Sequence, residues 1–103
     1  MKKLPQRESD IVASCLEYFV LKNIFAFRCN TGALRTERGG FVRFGHPGAP
    51  DIFLCIKGRL IGIECKTLKG RQSPSQIAFQ HNLEKAGGRY LLVRDVQDLI
   101  DQL

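Results

Sequence analysis

The sequence lacks several features that would assign the chain to a specialised class. Its 103 residues include no internal repeat and no low-complexity tract. No run of about 18 apolar residues occurs, and the N-terminus continues from Met1-Lys2-Lys3 into polar residues rather than an apolar segment. We therefore expect one domain over residues 1–103, with no signal peptide and no contact with a membrane.

The sequence also lacks a C-x-x-C pair, although it has four cysteines: Cys15, Cys29, Cys55 and Cys65. Three of them lie within apolar periodic segments, where a buried thiol is the ordinary interpretation. This usage predicts reduced, structural cysteines and a cytoplasmic protein.

Acidic residues are few, since ten Asp and Glu oppose sixteen Lys and Arg and leave a net charge of +6. Such a balance suits a chain that meets phosphates, although many basic proteins bind none. Residues 30–40 predict a loop and residues 41–44 a short strand or an extended arm. Several arginines lie in and beside this segment, and their guanidinium groups could contact nucleic-acid phosphates without recognising the bases. For any single arginine, a position in a solvated loop is an equally good explanation. The arginines in question are Arg28, Arg35, Arg38 and Arg43.

The stretch from Pro50 to Lys66 predicts a β-hairpin, because two runs of β-forming residues flank Lys57-Gly58. A two-residue turn there places Asp51 directly across from Glu64, with Lys66 on the same face. A three-residue turn would slide Asp51 by one position and still leave it near Glu64. The other face is apolar and consists of Ile52, Leu54, Ile56, Ile61, Ile63 and Cys65.

Residues 8–22 have the spacing of a helix with one apolar stripe. The stripe consists of Ile11, Val12, Cys15, Leu16, Phe19 and Val20. At roughly 100° per residue, Glu8 falls on the side of this stripe, whereas Asp10 and Glu17 fall on the opposite side. Glu8 is therefore expected to face the core, where it either interacts with the helix dipole or adds a third acid to Asp51 and Glu64.

The rest of the chain predicts a β-α-β unit after the hairpin. Residues 67–72 predict a basic loop, and Ser73-Pro74-Ser75-Gln76 is typical of a capped helix start. The helix should end before Gly87-Gly88, and a buried strand at 89–94 should run parallel to the strand that ends at Lys66. Gln76 has two open roles, helix capping and contact with the carboxylates. With a strand at 25–29 and a final helix after Asp95, the order is α, β, β, β, α, β, α, an α/β fold with a mixed sheet flanked by helices.

The residues at the open end of the hairpin suggest a chemistry. Carboxylates supply hard oxygen ligands, which suit Mg²⁺ or Mn²⁺ better than the softer sites of zinc. A lysine on the same face can stabilise negative charge that develops on a phosphate. This set predicts metal-assisted hydrolysis of a phosphodiester. The alternative is a surface ion pair between Glu64 and Lys66, which contributes little.

Pro50-Asp51, twelve intervening residues and Glu64-Cys65-Lys66 resemble the signature of the PD-(D/E)XK nucleases. Five segments in order, spanning nearly the whole chain, are similar to the VRR-NUC (virus-type replication-repair nuclease) family. They are Glu8, Arg28-x-Asn30-x-Gly32, Gly48-Ala49-Pro50-Asp51, Ile63-Glu64-Cys65-Lys66-Thr67 and Ser73-Pro74-Ser75-Gln76. Cys65 departs from the pattern, because an aliphatic residue is more usual there.

The resemblance implies a restriction-endonuclease-like αβββαβ core and a stand-alone nuclease domain like those of phages and bacteria. It makes Asp51 and Glu64 metal ligands, Glu8 an additional acid, Lys66 the catalytic lysine and Gln76 a residue lining the site. We also predict the backbone carbonyl of Cys65 as a ligand, Mg²⁺ or Mn²⁺ as cofactor, and no organic cofactor. Small members are similar to Holliday junction resolvases, which act as homodimers on branched DNA. The predicted DNA contacts are Arg28, Asn30, Arg35, Arg38, Arg43, Lys69 and Arg71.

Two other functions stay open from the sequence. A DNA-binding module without activity would use its acids structurally. A nuclease for flaps, single strands or RNA would fit the same residues, because phosphate contacts dominate and no base-reading set is visible.

Overall fold

The computed structural model describes residues 6–103 and consists of three helices, a four-stranded mixed sheet and a separate two-stranded sheet. The elements in chain order are α1 (Glu8–Leu21), β1 (Ala26–Arg28), β2 (Gly32–Arg35), β3 (Phe41–Phe44), β4 (Ile52–Ile56), β5 (Arg59–Cys65), α2 (Pro74–Lys85), β6 (Arg89–Val93) and α3 (Val96–Gln102). The predicted α/β class with a mixed sheet is confirmed. None of the helices within residues 6–103 is long and apolar enough to cross a membrane.

The main sheet has the strand order β1-β4-β5-β6, in which only the β5–β6 pair is parallel. In the β4–β5 hairpin Ile52 pairs with Ile63 and Ile56 with Arg59, so the predicted register is confirmed. Lys57 and Gly58 form the turn with φ angles of 51° and 80°, the left-handed values that a two-residue hairpin turn requires. Asp51 and Glu64 are the next residues beyond the Ile52–Ile63 pair, where the ladder ends.

The core lies on one face of this sheet, where α1 and α3 pack. The apolar side chains of β4 and β5 alternate into it as predicted, and Cys15 and Cys65 are fully buried there as free thiols. Two expectations were wrong. Val20 is 78% exposed because it lies beyond the width of the buried stripe, and Cys55 is exposed because it points to the opposite face of the hairpin.

The polar segment predicted as a loop contains a strand, which corrects that expectation. β2 and β3 form an antiparallel hairpin, which we call the arm together with the connecting residues Thr36–Gly40. Every residue of both strands is exposed. The radius of gyration is 14.9 Å, above the roughly 13 Å of a compact domain of this length, as expected if the arm stands away from the main sheet.

Candidate metal centre

Three carboxylates from three different elements meet at one end of the main sheet. Glu8 begins α1, Asp51 immediately precedes β4, and Glu64 is the penultimate residue of β5. One carboxylate oxygen of each lies within 4.8 Å of the others. Glu8 is exposed, Asp51 is half-buried and Glu64 is 2% exposed. The expectation that Glu8 faces the core was wrong, because Glu8 precedes the buried stripe that begins at Ile11 and is open to solvent. Its carboxylate nevertheless lies beside the other two acids.

Glu64 is the most constrained of the three acids. Its Oε1 accepts a hydrogen bond from Nε2 of Gln76 at 3.1 Å and lies 3.8 Å from Nζ of Lys66. Its Oε2 is buried and has no hydrogen-bond partner among residues 6–103. Burial and the neighbouring charge of Asp51 raise the pKa of Glu64 to about 8, although Lys66 opposes the shift. The positive charge of Lys66 does not offset the combined effect of burial and of the Asp51 charge on Glu64. The ionised form of Glu64 therefore needs a further positive charge nearby.

Asp51 is oriented by the backbone of both neighbouring strands. Its Oδ2 accepts a hydrogen bond from the amide of Cys65 at 2.8 Å, and its carbonyl accepts one from the amide of Cys29 at 2.8 Å. The side chain of Cys65 lies in the core, so it does not crowd the carboxylates. The predicted role of the Cys65 carbonyl as a ligand stays a prediction.

Gln76 performs both of the roles that the sequence left open. Its Oε1 accepts a hydrogen bond from the backbone amide of Ser73 at 2.8 Å. The backbone amide of Gln76 donates to the Ser73 hydroxyl, and the two bonds form the predicted capping box. Its Nε2 remains free to donate to Glu64. The start of α2 therefore fixes the orientation of Glu64. Gln80 shares this face of the helix but accepts a hydrogen bond from Gln72 instead.

Lys66 is buried rather than spread over a solvated surface. Its side chain is 11% exposed and that of Glu64 is 3% exposed, so the alternative of a surface ion pair is wrong. Burying one cation with two carboxylates costs free energy, because one negative charge stays uncompensated. This cost indicates that the site serves a purpose other than stability.

The donor set fits a hard divalent cation. If both were ionised, the carboxylates of Asp51 and Glu64, with oxygens within 4.8 Å of each other, would repel by about 3.5 kcal/mol or more at an effective dielectric constant of about 20. A helix dipole would explain one acid at the start of α1, but it does not explain three acids together. Mg²⁺ and Mn²⁺ prefer oxygen ligands such as carboxylates. Here three carboxylates converge, and Oε2 of Glu64 is buried with no hydrogen-bond partner among the described residues.

The predicted DNA contacts are all exposed and lie in two groups. Arg28 ends β1, Asn30 lies at the base of the arm, and Arg35, Arg38 and Arg43 belong to the arm itself. The second group, Lys69 and Arg71, lies in the loop that joins β5 to α2, directly after Lys66.

The sequence alone did not identify Arg94, and it gave Gly48 only as part of the segment Gly48-Ala49-Pro50-Asp51, without a role for it. Arg94 contacts the loop that follows Lys66, and only a contact across the parallel β5–β6 pair could have revealed it. Gly48 lies against the start of α2, with φ at +78°. A Cβ at Gly48 would lie 2.1 Å from the carbonyl oxygen of Ser75, so only glycine lets the segment that leads to Asp51 pass this close to Gln76.

Gly48→Ala is expected to destabilise the protein by more than the roughly 1–2 kcal/mol of a left-handed alanine, because a backbone clash is added to the strain. Gly58→Ala is the matched control, since Gly58 has φ at +80° and no atom within 4 Å of its missing Cβ. Urea unfolding of both variants measures the difference. Equal losses of stability would show that the close approach at Gly48 does not matter.

The sequence matches no protein-family model and no curated protein. The chemistry of the site therefore rests on its geometry: three convergent carboxylates, one buried lysine and one amide that orients the central acid.

Proposed function

We propose that this protein is a Mg²⁺- or Mn²⁺-dependent endonuclease that hydrolyses phosphodiester bonds in DNA. The observation that carries the proposal is the environment of Glu64, a buried carboxylate with an unpartnered oxygen beside two further acids and Lys66. The resemblance of Asp51, Glu64 and Lys66 to the PD-(D/E)XK signature agrees with it. The proposal includes a restriction-endonuclease-like core, of the kind found in the VRR-NUC family.

In this proposal Asp51, Glu64 and Glu8 hold the cation. A bound divalent ion supplies Lewis-acid polarisation of the phosphate and an acidified water. Lys66 contributes a fixed positive charge where negative charge develops on the phosphate, in a site that already excludes most solvent. Gln76 keeps Glu64 in one orientation, so that no reorganisation of this carboxylate is needed during the reaction.

The arm supports DNA as the substrate, because its two faces differ in chemistry. Cross-strand pairing places Arg35 and Arg43 on one face, where the guanidinium of Arg35 lies 5.7 Å from the ring centre of Phe41. The other face carries Leu34, Val42 and Phe44. A two-stranded arm with a cationic face suits contact with a phosphate backbone.

Charge reversal in the arm is expected to weaken DNA binding without changing the chemistry. Each of Arg35→Glu and Arg38→Glu should lower DNA affinity and reduce the slope of log affinity against log salt by about one. Lys85→Glu, at the far end of α2, makes the same charge change and should have a smaller effect. Fluorescence anisotropy across a salt series measures both quantities. Equal effects of all three variants would show that DNA binding depends on the net charge of the protein and not on contacts made by the arm.

A second step of the proposal is that the enzyme acts on branched DNA as a homodimer, like a Holliday junction resolvase. One site per chain cannot place two symmetric nicks, so junction resolution requires a two-fold dimer. Large apolar side chains exposed on the arm and near the end of α1 offer surface that a dimer could bury. They include Leu34 (64% exposed) and Val42 (55%) on the apolar face of the arm, and Leu21 (77%) and Phe25 (75%).

Gel filtration combined with cleavage of a four-way junction and a flap tests this step. We expect a dimer that nicks two opposed strands of the junction. A monomer that cuts only flaps or single strands would overturn it, and a ribonucleotide version of the preferred substrate would show whether RNA is cut instead. DNA binding with no metal-dependent cleavage, unchanged in Asp51→Asn, would indicate a binding module.

A further inference from the structure

Arg94 joins the end of β6 to the loop that follows Lys66. Its Nη1 donates to the carbonyl oxygens of Thr67, Leu68 and Gly70, the last two at 3.3 and 2.9 Å. The backbone next to Arg94 is also bonded to Lys66, because the amide of Lys66 donates a hydrogen bond to the carbonyl of Val93 at 3.0 Å. One guanidinium therefore collects three carbonyls of a single turn.

That turn lies beside the aliphatic stem of Lys66. The amide of Gly70 donates to the carbonyl of Thr67 at 3.0 Å, which folds the chain back towards Lys66. A Cβ added at Gly70 would lie 3.4 Å from both Cβ and Cδ of Lys66, so the turn passes beside the stem with room for little more than a methyl group between them. The small exposed fraction of Lys66, 11% of its side chain, agrees with this cover.

The three carbonyl dipoles point at one place and would repel each other without a cation between them. Charge-assisted hydrogen bonds are stronger than neutral ones, and two of the three, those to Thr67 and Gly70, are partly buried, where a lost donor costs more than at the surface. Removing the guanidinium should therefore let the turn open to reach water, and the stem of Lys66 would lose its cover.

We propose that Arg94 is a positioning residue, which holds the turn Thr67–Gly70 against Lys66 and thereby fixes the ammonium group beside Glu64. The inference rests on the proposed function only for the task of Lys66; the packing itself is independent of any activity.

The test compares Arg94→Ala and Arg94→Lys with Arg59→Ala as the matched control. Arg59 also donates to two loop carbonyls, those of Gly87 and Gly88, but at the opposite end of the hairpin. The first readout is the nitrogen-15 signal of the Lys66 ammonium in metal-free protein, identified by its loss in Lys66→Ala. Such a signal is visible only where the ammonium is protected from exchange with water.

We expect the signal in the wild type and Arg59→Ala, its loss in Arg94→Ala, and at least partial recovery in Arg94→Lys, which restores a cationic donor. In cleavage assays Arg94→Ala should lower kcat by about tenfold or more with little change in KM for DNA. If Arg94→Ala does not fold, Arg94→Gln, which keeps an N–H donor without the charge, takes its place.

An unchanged Lys66 signal and kcat in a folded Arg94→Ala or Arg94→Gln would overturn the inference. So would a loss that Arg59→Ala shares, since that would indicate general destabilisation. Failure of the proposed function looks different: the wild type would then cut no DNA, while the ammonium signal would still respond to Arg94.

Discussion

Lys66→Ala and Asp51→Asn are each expected to abolish DNA cleavage, lowering kcat by about a thousandfold or more, while DNA affinity stays nearly unchanged. Lys66 is the buried cation beside Glu64, and Asp51 supplies one of the three convergent carboxylates. Binding should survive because the proposed function assigns the phosphate contacts to the exposed arginines of the arm and not to the buried site. Single-turnover cleavage and fluorescence anisotropy on the same DNA measure the two effects separately.

The matched controls are Lys85→Ala and Asp101→Asn, which remove an exposed lysine at the end of α2 and an exposed acid near the end of α3. Both should cleave at nearly the wild-type rate. If Lys66→Ala or Asp51→Asn lost DNA binding and cleavage together, or lost its folded structure, these residues would be folding determinants rather than parts of a catalytic site.

The affinity of the site for Mn²⁺ is expected to rise about tenfold per pH unit as the pH approaches 8, and to level off above that value. The reason is the pKa of Glu64, which burial and Asp51 raise to about 8. Below this pH the carboxyl is protonated, and the proton must leave before the oxygen can bind a cation. The proton therefore competes with the metal, and the competition disappears once Glu64 is ionised.

Electron paramagnetic resonance of free Mn²⁺ across the pH series measures this affinity without any DNA. Glu64→Gln cannot ionise, so it should bind the ion more weakly and with little of the pH dependence. A wild-type affinity that stays flat across the series, or one that falls as pH rises, would show that Glu64 is not a ligand.

The register of the β4–β5 hairpin could be predicted because a two-residue turn fixes every pair along both strands, and Lys57-Gly58 meets the φ requirement of that turn. Helical phase likewise placed Glu8 on the side of the other two acids, since a regular period carries information over several residues, but it did not show that the side chain is exposed. Both predictions depended on local geometry that the sequence encodes directly.

The arm and Arg94 could not be predicted in this way. The strand Gly32–Arg35 contains Gly and Ala, which have weak β propensity, and its residues show no burial pattern because both faces are exposed. Arg94 acts across a parallel strand pair on residues more than twenty positions earlier, a contact that only the tertiary structure defines. The assignment of Val20 to the buried stripe was wrong, because the helical period shows which way a side chain points but not how wide the packed surface is.

The central claim is that the carboxylate cluster supports metal-dependent hydrolysis of DNA, and cleavage by the wild-type protein with and without a divalent ion tests it most directly. The measurement uses end-labelled linear, flap and four-way-junction DNAs, incubated with Mg²⁺, with Mn²⁺ or with a chelator. We predict cleavage of at least one DNA with either ion and none with the chelator. Cleavage that persists in the chelator, or bound DNA that stays intact with both ions, would contradict the account.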